Sequence, residues 1–236
     1  MTVKASLRIM RRELGFYFVS PIAYIVIVVF LIATGWFFFS VFFLNGRADL
    51  RDFFSLLPLI LTFVVPAVTM RLFSEEFSSG SYEILLTLPV SRIDILAGKF
   101  LAALSFALLM LIPTLSYPIF VSTLGELDWG PVAGGYLGAI FLIGLLCAVG
   151  LFASSLTKNQ IVAFIVGVAM CFFLTQVHRV LFLIPVFLTG FFQFLGASTH
   201  FNNIAKGVLD SRDLLYFVSL SFIALYFTNI VIEYKR

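Results

Sequence analysis

Long apolar runs separated by short polar stretches fill this chain. Residues 21–44, 53–70, 100–124, 132–156, 161–177, 180–197 and 214–232 are almost uninterruptedly hydrophobic. A helix needs about 20 such residues to cross the ~30 Å hydrocarbon layer of a bilayer. The pattern therefore predicts an all-α integral membrane protein. Ahead of the first run, Lys4, Arg8, Arg11, Arg12 and Glu13 alternate with Val3, Leu7, Met10 and Leu14 at helical spacing. That arrangement predicts an amphipathic helix over residues 1–15, lying on the membrane with its basic side toward headgroups. A signal peptide is the competing reading, but the run at 21–44 is too long for its apolar region and lacks a clear cleavage site.

Composition sharpens the class. Hydrophobic residues make up 61% of the chain and charged residues 11%, against about 25% charged in soluble domains. At 236 residues the chain reads as one polytopic domain spanning 1–236, with no room for a soluble catalytic domain. The net charge of +3 does not indicate nucleic acid, because the basic residues sit at the ends of apolar runs, where they set topology. Cys147 and Cys171 both fall inside apolar runs and read as buried structural thiols.

Charge counting leaves the number of spans open. Six or seven crossings both put ten basic residues inside and five outside. Pro185, Gly190 and Gln193 make residues 180–197 a poor span. That favours six spans, with 180–197 re-entrant and both termini cytoplasmic, over seven, without settling the number. His178 and His200 read as ordinary outer-boundary histidines rather than as metal ligands with Met170 or Cys171. The spans carry almost no interior charge, so nothing indicates an ion or proton path.

The longest interruption, residues 71–99, contains Arg71, Glu75, Glu76, Glu83, Arg92, Asp94 and Lys99. Gly80 and Pro89 bracket a short helix over 82–88 that Ser81 can cap. Its Ile84, Leu85, Leu86 and Leu88 are too apolar for a free loop and need a groove. Ser91 and Asp94 form an S-x-x-D capping pattern, so the third helix starts near Ser91 and enters the bilayer after Lys99. A short helix continuous with a span can transmit a push; it can equally be an interfacial helix lining the bilayer.

From Glu75 to Lys99 the chain reads E-E-x-x-x-G-S-x-E-x-L-L-x-x-P-V-S-x-x-x-x-x-x-G-K. This resembles the hallmark segment of ABC-2 type transporter permeases, which joins the second and third helices and contacts the nucleotide-binding subunit. Residues 198–217 resemble the outer segment of a narrower group, the gliding-motility and nitrous-oxide-reductase maturation permeases. The resemblance implies that Glu75, Glu76, Gly80, Glu83, Leu85, Pro89, Gly98 and Lys99 form an ATPase-coupling element. It places Arg8, Arg11 and Arg12 on the interfacial helix beside the ATPase. It also implies six spans, with 180–213 an outer re-entrant region of half-helices between the fifth and sixth, in a multi-pass protein of the bacterial inner membrane that couples hydrolysis by a separate ATPase subunit to export of an unidentified cargo. The alternative is mechanotransmission to a periplasmic or membrane partner without cargo. The implied partners are an ABC ATPase that binds ATP and Mg, a second permease subunit (a copy or a related chain), a periplasmic auxiliary membrane protein, and lipid, but no nucleic acid. The chain itself reads as a non-enzyme with no cofactor or metal. Gly98-Lys99 is followed by Phe100, and Ile93 stands where a P-loop needs glycine.

Overall fold

The computed structural model describes residues 3–45, 49–82, 90–177, 179 and 186–235. The expected helix over 82–88, with Glu83, Leu85 and Pro89, lies outside the described residues beyond Tyr82, as do His178 and the start of the sixth apolar run. Every regular element among the described residues is helical.

Helix α1 (Val3–Val19) leads through Ser20 into α2 (Pro21–Asn45). Proline at the first helical position has no amide hydrogen to leave unpaired. Helix α3 (Arg51–Thr69) continues past Met70 as α4 (Arg71–Ser79), which Gly80 ends in the left-handed conformation at φ 70°. Helix α5 (Arg92–Leu111) starts at the expected cap: the Ser91 hydroxyl accepts a hydrogen bond from the Asp94 amide. Pro113 then interrupts the third run with a 3-10 turn, Ile112–Leu115, before α6 (Ser116–Leu124). A proline lacks the amide that would continue the helical ladder, so the third run crosses as two helices joined by one tight turn. Helices α7 (Trp129–Leu156), α8 (Gln160–Gln176), α9 (Val186–Leu195), α10 (Ala197–Ala205) and α11 (Ser211–Tyr234) complete the chain.

Among the described residues, five stretches are long and apolar enough to cross a membrane: Pro21–Leu44, Arg51–Ser79, Arg92–Leu124, Trp129–Leu156 and Ser211–Tyr234. Helix α8 is a shorter apolar helix of 17 residues. The described part of α9 has ten residues, a length of ~15 Å. Helix α7 is the centre of the bundle. Its most apolar stretch is 72% buried, against 17% for α2, whose outward side chains are left for lipid or a partner. Near its start, Gly134 lets α10 approach so closely that an added Cβ would collide with the Ile204 carbonyl.

Helix α1 is held against the bundle by its apolar side. It runs four residues past Gly15 and packs along α5. A Cβ added to Gly98 would sit 2.7 Å from Ile9 Cβ and 2.9 Å from the Ser6 carbonyl. Tyr17 stacks on Phe106 at 4.7 Å, and its hydroxyl donates to the Val68 carbonyl at 2.7 Å. An amphipathic pattern reports one apolar face; here much of that face is covered by protein.

Candidate functional site

The charged residues of α1, α4 and α5 converge on Lys99. Its side chain is 1% exposed, and all three ammonium hydrogens have acceptors. They go to Glu76 Oε1 at 2.7 Å, the Leu72 carbonyl at 2.7 Å and Glu13 Oε1 at 3.3 Å. The Phe73 ring lies 5.2 Å from the nitrogen. A buried ammonium is tolerated only when paired and hydrogen-bonded throughout. This one is, and its partners on α1 and α4 tie those two helices to α5. Glu76 Oε2 is buried with no hydrogen-bond partner, so the second carboxylate oxygen is less well satisfied than the first.

A second link lies nearer the start of α5. Asp94 Oδ2 accepts from the Ser91 hydroxyl at 2.6 Å, and its Oδ1 accepts from the Ser6 hydroxyl at 3.2 Å. Helix α1 is thus held to α5 at Asp94 and at Lys99, with Gly98 allowing close approach between them. Ser154 of α7 anchors α4. Its hydroxyl donates to the Met70 carbonyl at 2.7 Å and accepts from the amides of Phe73 at 3.1 Å and Ser74 at 3.2 Å. Those backbone groups flank the break between α3 and α4, so the joint is pinned to the central helix.

The end of α11 reaches the same region. Arg92 pairs with Glu233 at 3.1 Å. Lys235 donates to the Ser155 carbonyl at 2.7 Å and lies 4.7 Å from the Phe77 ring. Desolvation of that ammonium, and then nearby Lys158, hold Lys235 below the ordinary lysine value. Both ends of the described chain therefore meet segment 71–99 at one end of the bundle.

Between α1 and α4 a cleft of about 370 Å³ is lined by Arg12, Glu13, Arg71, Glu75, Glu76 and Lys99, among others. Arg71 rests on the Tyr17 ring at 4.6 Å and Arg12 on the Phe16 ring at 5.5 Å. Of the expected coupling residues, Glu76 and Lys99 are joined directly, and Glu75 stands exposed at the cleft. Gly80 terminates α4, and Gly98 lies under α1. Arg8, Arg11 and Arg12 are exposed, and Arg12 borders the cleft.

Glu13, Ser6 and Ser154 are absent from the expected set. Glu13 had a readable signal: Ser6, Ile9 and Glu13 fall at i, i+3 and i+7, one helical face, and Glu13 is the lone acid among the bases of that segment. His200, expected as an ordinary outer-boundary histidine, is buried in the protein, paired with Asp213 and stacked on Tyr216.

Among known families, residues 48–203 match the one described as ABC-2 family transporter protein. No curated protein matches the chain.

Proposed function

Because the chain belongs to the ABC-2 transporter family, and is therefore a membrane-embedded component of an ABC transporter, we propose that it is the permease half that converts hydrolysis by a separate ATPase subunit into export of a cargo. In this reading the α1–α4–α5 end faces the cytoplasm of a bacterium, and the spans are α2, α3 with α4, α5 with α6, α7, α8 and α11. The ATPase, carrying ATP and Mg, engages segment 71–99 through Glu75, Glu83, Leu85 and Pro89, flanked by Arg8, Arg11 and Arg12. A second permease subunit packs beside the first.

The carrying observation is the Lys99 knot. Force applied to segment 71–99 reaches a span only if the segment cannot move independently of it. Lys99 is on the first turns of α5, Glu76 and the Leu72 carbonyl are on α4, and Glu13 is on α1. A displacement of the segment breaks three charge-assisted bonds in a buried setting or carries α1, α4 and α5 along together. The second course is the cheaper one, and it turns a local push into movement of two spans.

The test is a gentle-detergent pull-down of the tagged chain followed by mass identification. An ABC ATPase in the eluate, with hydrolysis absent from the chain alone, is the expected result. Retention of no ATPase overturns the assignment of segment 71–99. Glu83→Lys should release the ATPase while the chain still inserts.

A further inference from the structure

The other buried charge cluster lies at the far end of α7, independent of the coupling reading. Gly134, which contacts α10, and Ser154, which holds α4, are 20 residues apart on α7, or ~30 Å along a helix. There α9 and α10, joined by the single residue Gly196, meet the start of α11.

His200 of α10 has both ring nitrogens engaged. Nδ1 is 2.5 Å from Asp213 Oδ1, and Nε2 is 2.8 Å from the Phe194 carbonyl oxygen. The ring stacks on Tyr216 at 4.0 Å, and the Tyr216 hydroxyl donates to the Leu195 carbonyl at 2.5 Å. A peptide carbonyl only accepts, so Nε2 carries a hydrogen. A second hydrogen must lie between Nδ1 and Oδ1, on either atom. The pair therefore holds one proton more than a neutral imidazole beside a carboxylate. With that proton removed, the single remaining N–H can serve Asp213 or Phe194, but not both. The other contact becomes acceptor against acceptor.

The carbonyls of Phe194 and Leu195 belong to the last turn of α9, which has no partners within its own helix. His200 and Tyr216 supply them, and a cation at a helix C-terminus is also favoured by the backbone dipoles. No other described group competes for the proton. Helix α3 has no titratable side chain between Phe53 and Thr69, and α8 has only the buried Cys171. Helix α7 has the buried Cys147 and Tyr136, whose hydroxyl donates to the Thr114 carbonyl. Helices α9 and α10 carry none besides His200. From α11, Asp213 and Tyr216 face the ring, while Arg212, Asp210 and the nearby Lys206 are exposed.

We propose that His200 and Asp213 form a proton-dependent latch: the loaded pair clamps the end of α9 onto α10 and α11, and loss of the proton releases α9. The latched state binds one proton more than the released one. It is favoured at low pH and lost as pH rises, by about tenfold per pH unit once the proton is leaving. The described part of α9 is joined to α10 by Gly196 alone, and its last carbonyls are held by His200 and Tyr216.

The test uses the full chain in lipid nanodiscs, with Cys147→Ala and Cys171→Ala, and spin labels replacing the exposed Gln193 and Leu215. Distances are measured by pulsed electron resonance from about pH 5 to about pH 9, a range bracketing histidine titration. One short distance at the acid end and a growing longer population at the alkaline end are expected. Asp213→Asn, whose amide donates to Nδ1 without titrating, should keep the short distance throughout. Distances that ignore pH in the parent, or an Asp213→Asn variant that follows the parent, overturn the latch. Should that variant fail to fold, ¹⁵N resonance of His200 in a His178→Gln background decides: constant ring shifts across the range overturn it, and loss of one proton alongside the distance change supports it.

Discussion

The Lys99 knot and the His200 pair are built alike and behave differently. Each is a buried nitrogen group bonded to carboxylate and carbonyl oxygens, and each ties short helical elements to a span. Lys99 meets two carboxylates and joins α1 and α4 to α5. His200 meets one carboxylate, and its second nitrogen depends on a proton that an imidazole can lose near neutrality. The same chemistry thus makes a permanent rivet at one end of α7 and a conditional one at the other. Identity of the cation, rather than burial or bond count, separates a part that transmits force from a part that can let go.

The comparison breaks most readily at Lys99. Lys99→Met leaves Glu13 and Glu76 buried without a counter-charge and should cost about 3–5 kcal/mol, read as a lower thermal midpoint and loss of hydrolysis-coupled movement. Adding Glu13→Gln and Glu76→Gln should recover much of the stability but not the coupling; recovery of both would reduce the knot to ordinary packing. Next is Ser154→Ala, which strands the Met70 carbonyl and two amides at the α3–α4 joint. It should cost about 1–3 kcal/mol, with faster amide exchange confined to Phe73 and Ser74. Gly98→Ala forces Ile9 and the α1 backbone away from α5, at about 1–3 kcal/mol for an overpacked contact. Cross-linking between cysteines placed at Ser6 and Asp94 should weaken, and Ile9→Ala should restore part of it. The smallest effect belongs to Arg92→Ala. Its pair with Glu233 is exposed on one side and should contribute under about 1 kcal/mol, sharpening the contrast between a surface pair and a buried one.

Much of this could be read without coordinates. The apolar runs gave the helices, Ser91 gave the start of α5, and Gly80 gave the end of α4, because apolar length, capping and left-handed backbone are local properties. Glu76 and Lys99 were legible as charges where apolar runs stop. Their partnership was not, and neither was the third partner, since Glu13 and Lys99 are 86 residues apart in sequence. Helix α1 reads identically whether lipid or α5 covers its apolar face, so periodicity gave the face and only packing showed that α5 covers much of it. His200 misleads for a related reason: a lone histidine among polar residues looks solvated until α11 brings Asp213 and Tyr216 to it.

Sequence alone determined that this chain is helical, membrane-embedded and punctuated at 71–99, because desolvation acts on each run separately. Tertiary structure decided which charges meet. A buried ion is stable only where several helices deliver acceptors to one point, and that depends on crossing geometry and on the small residues that allow close approach.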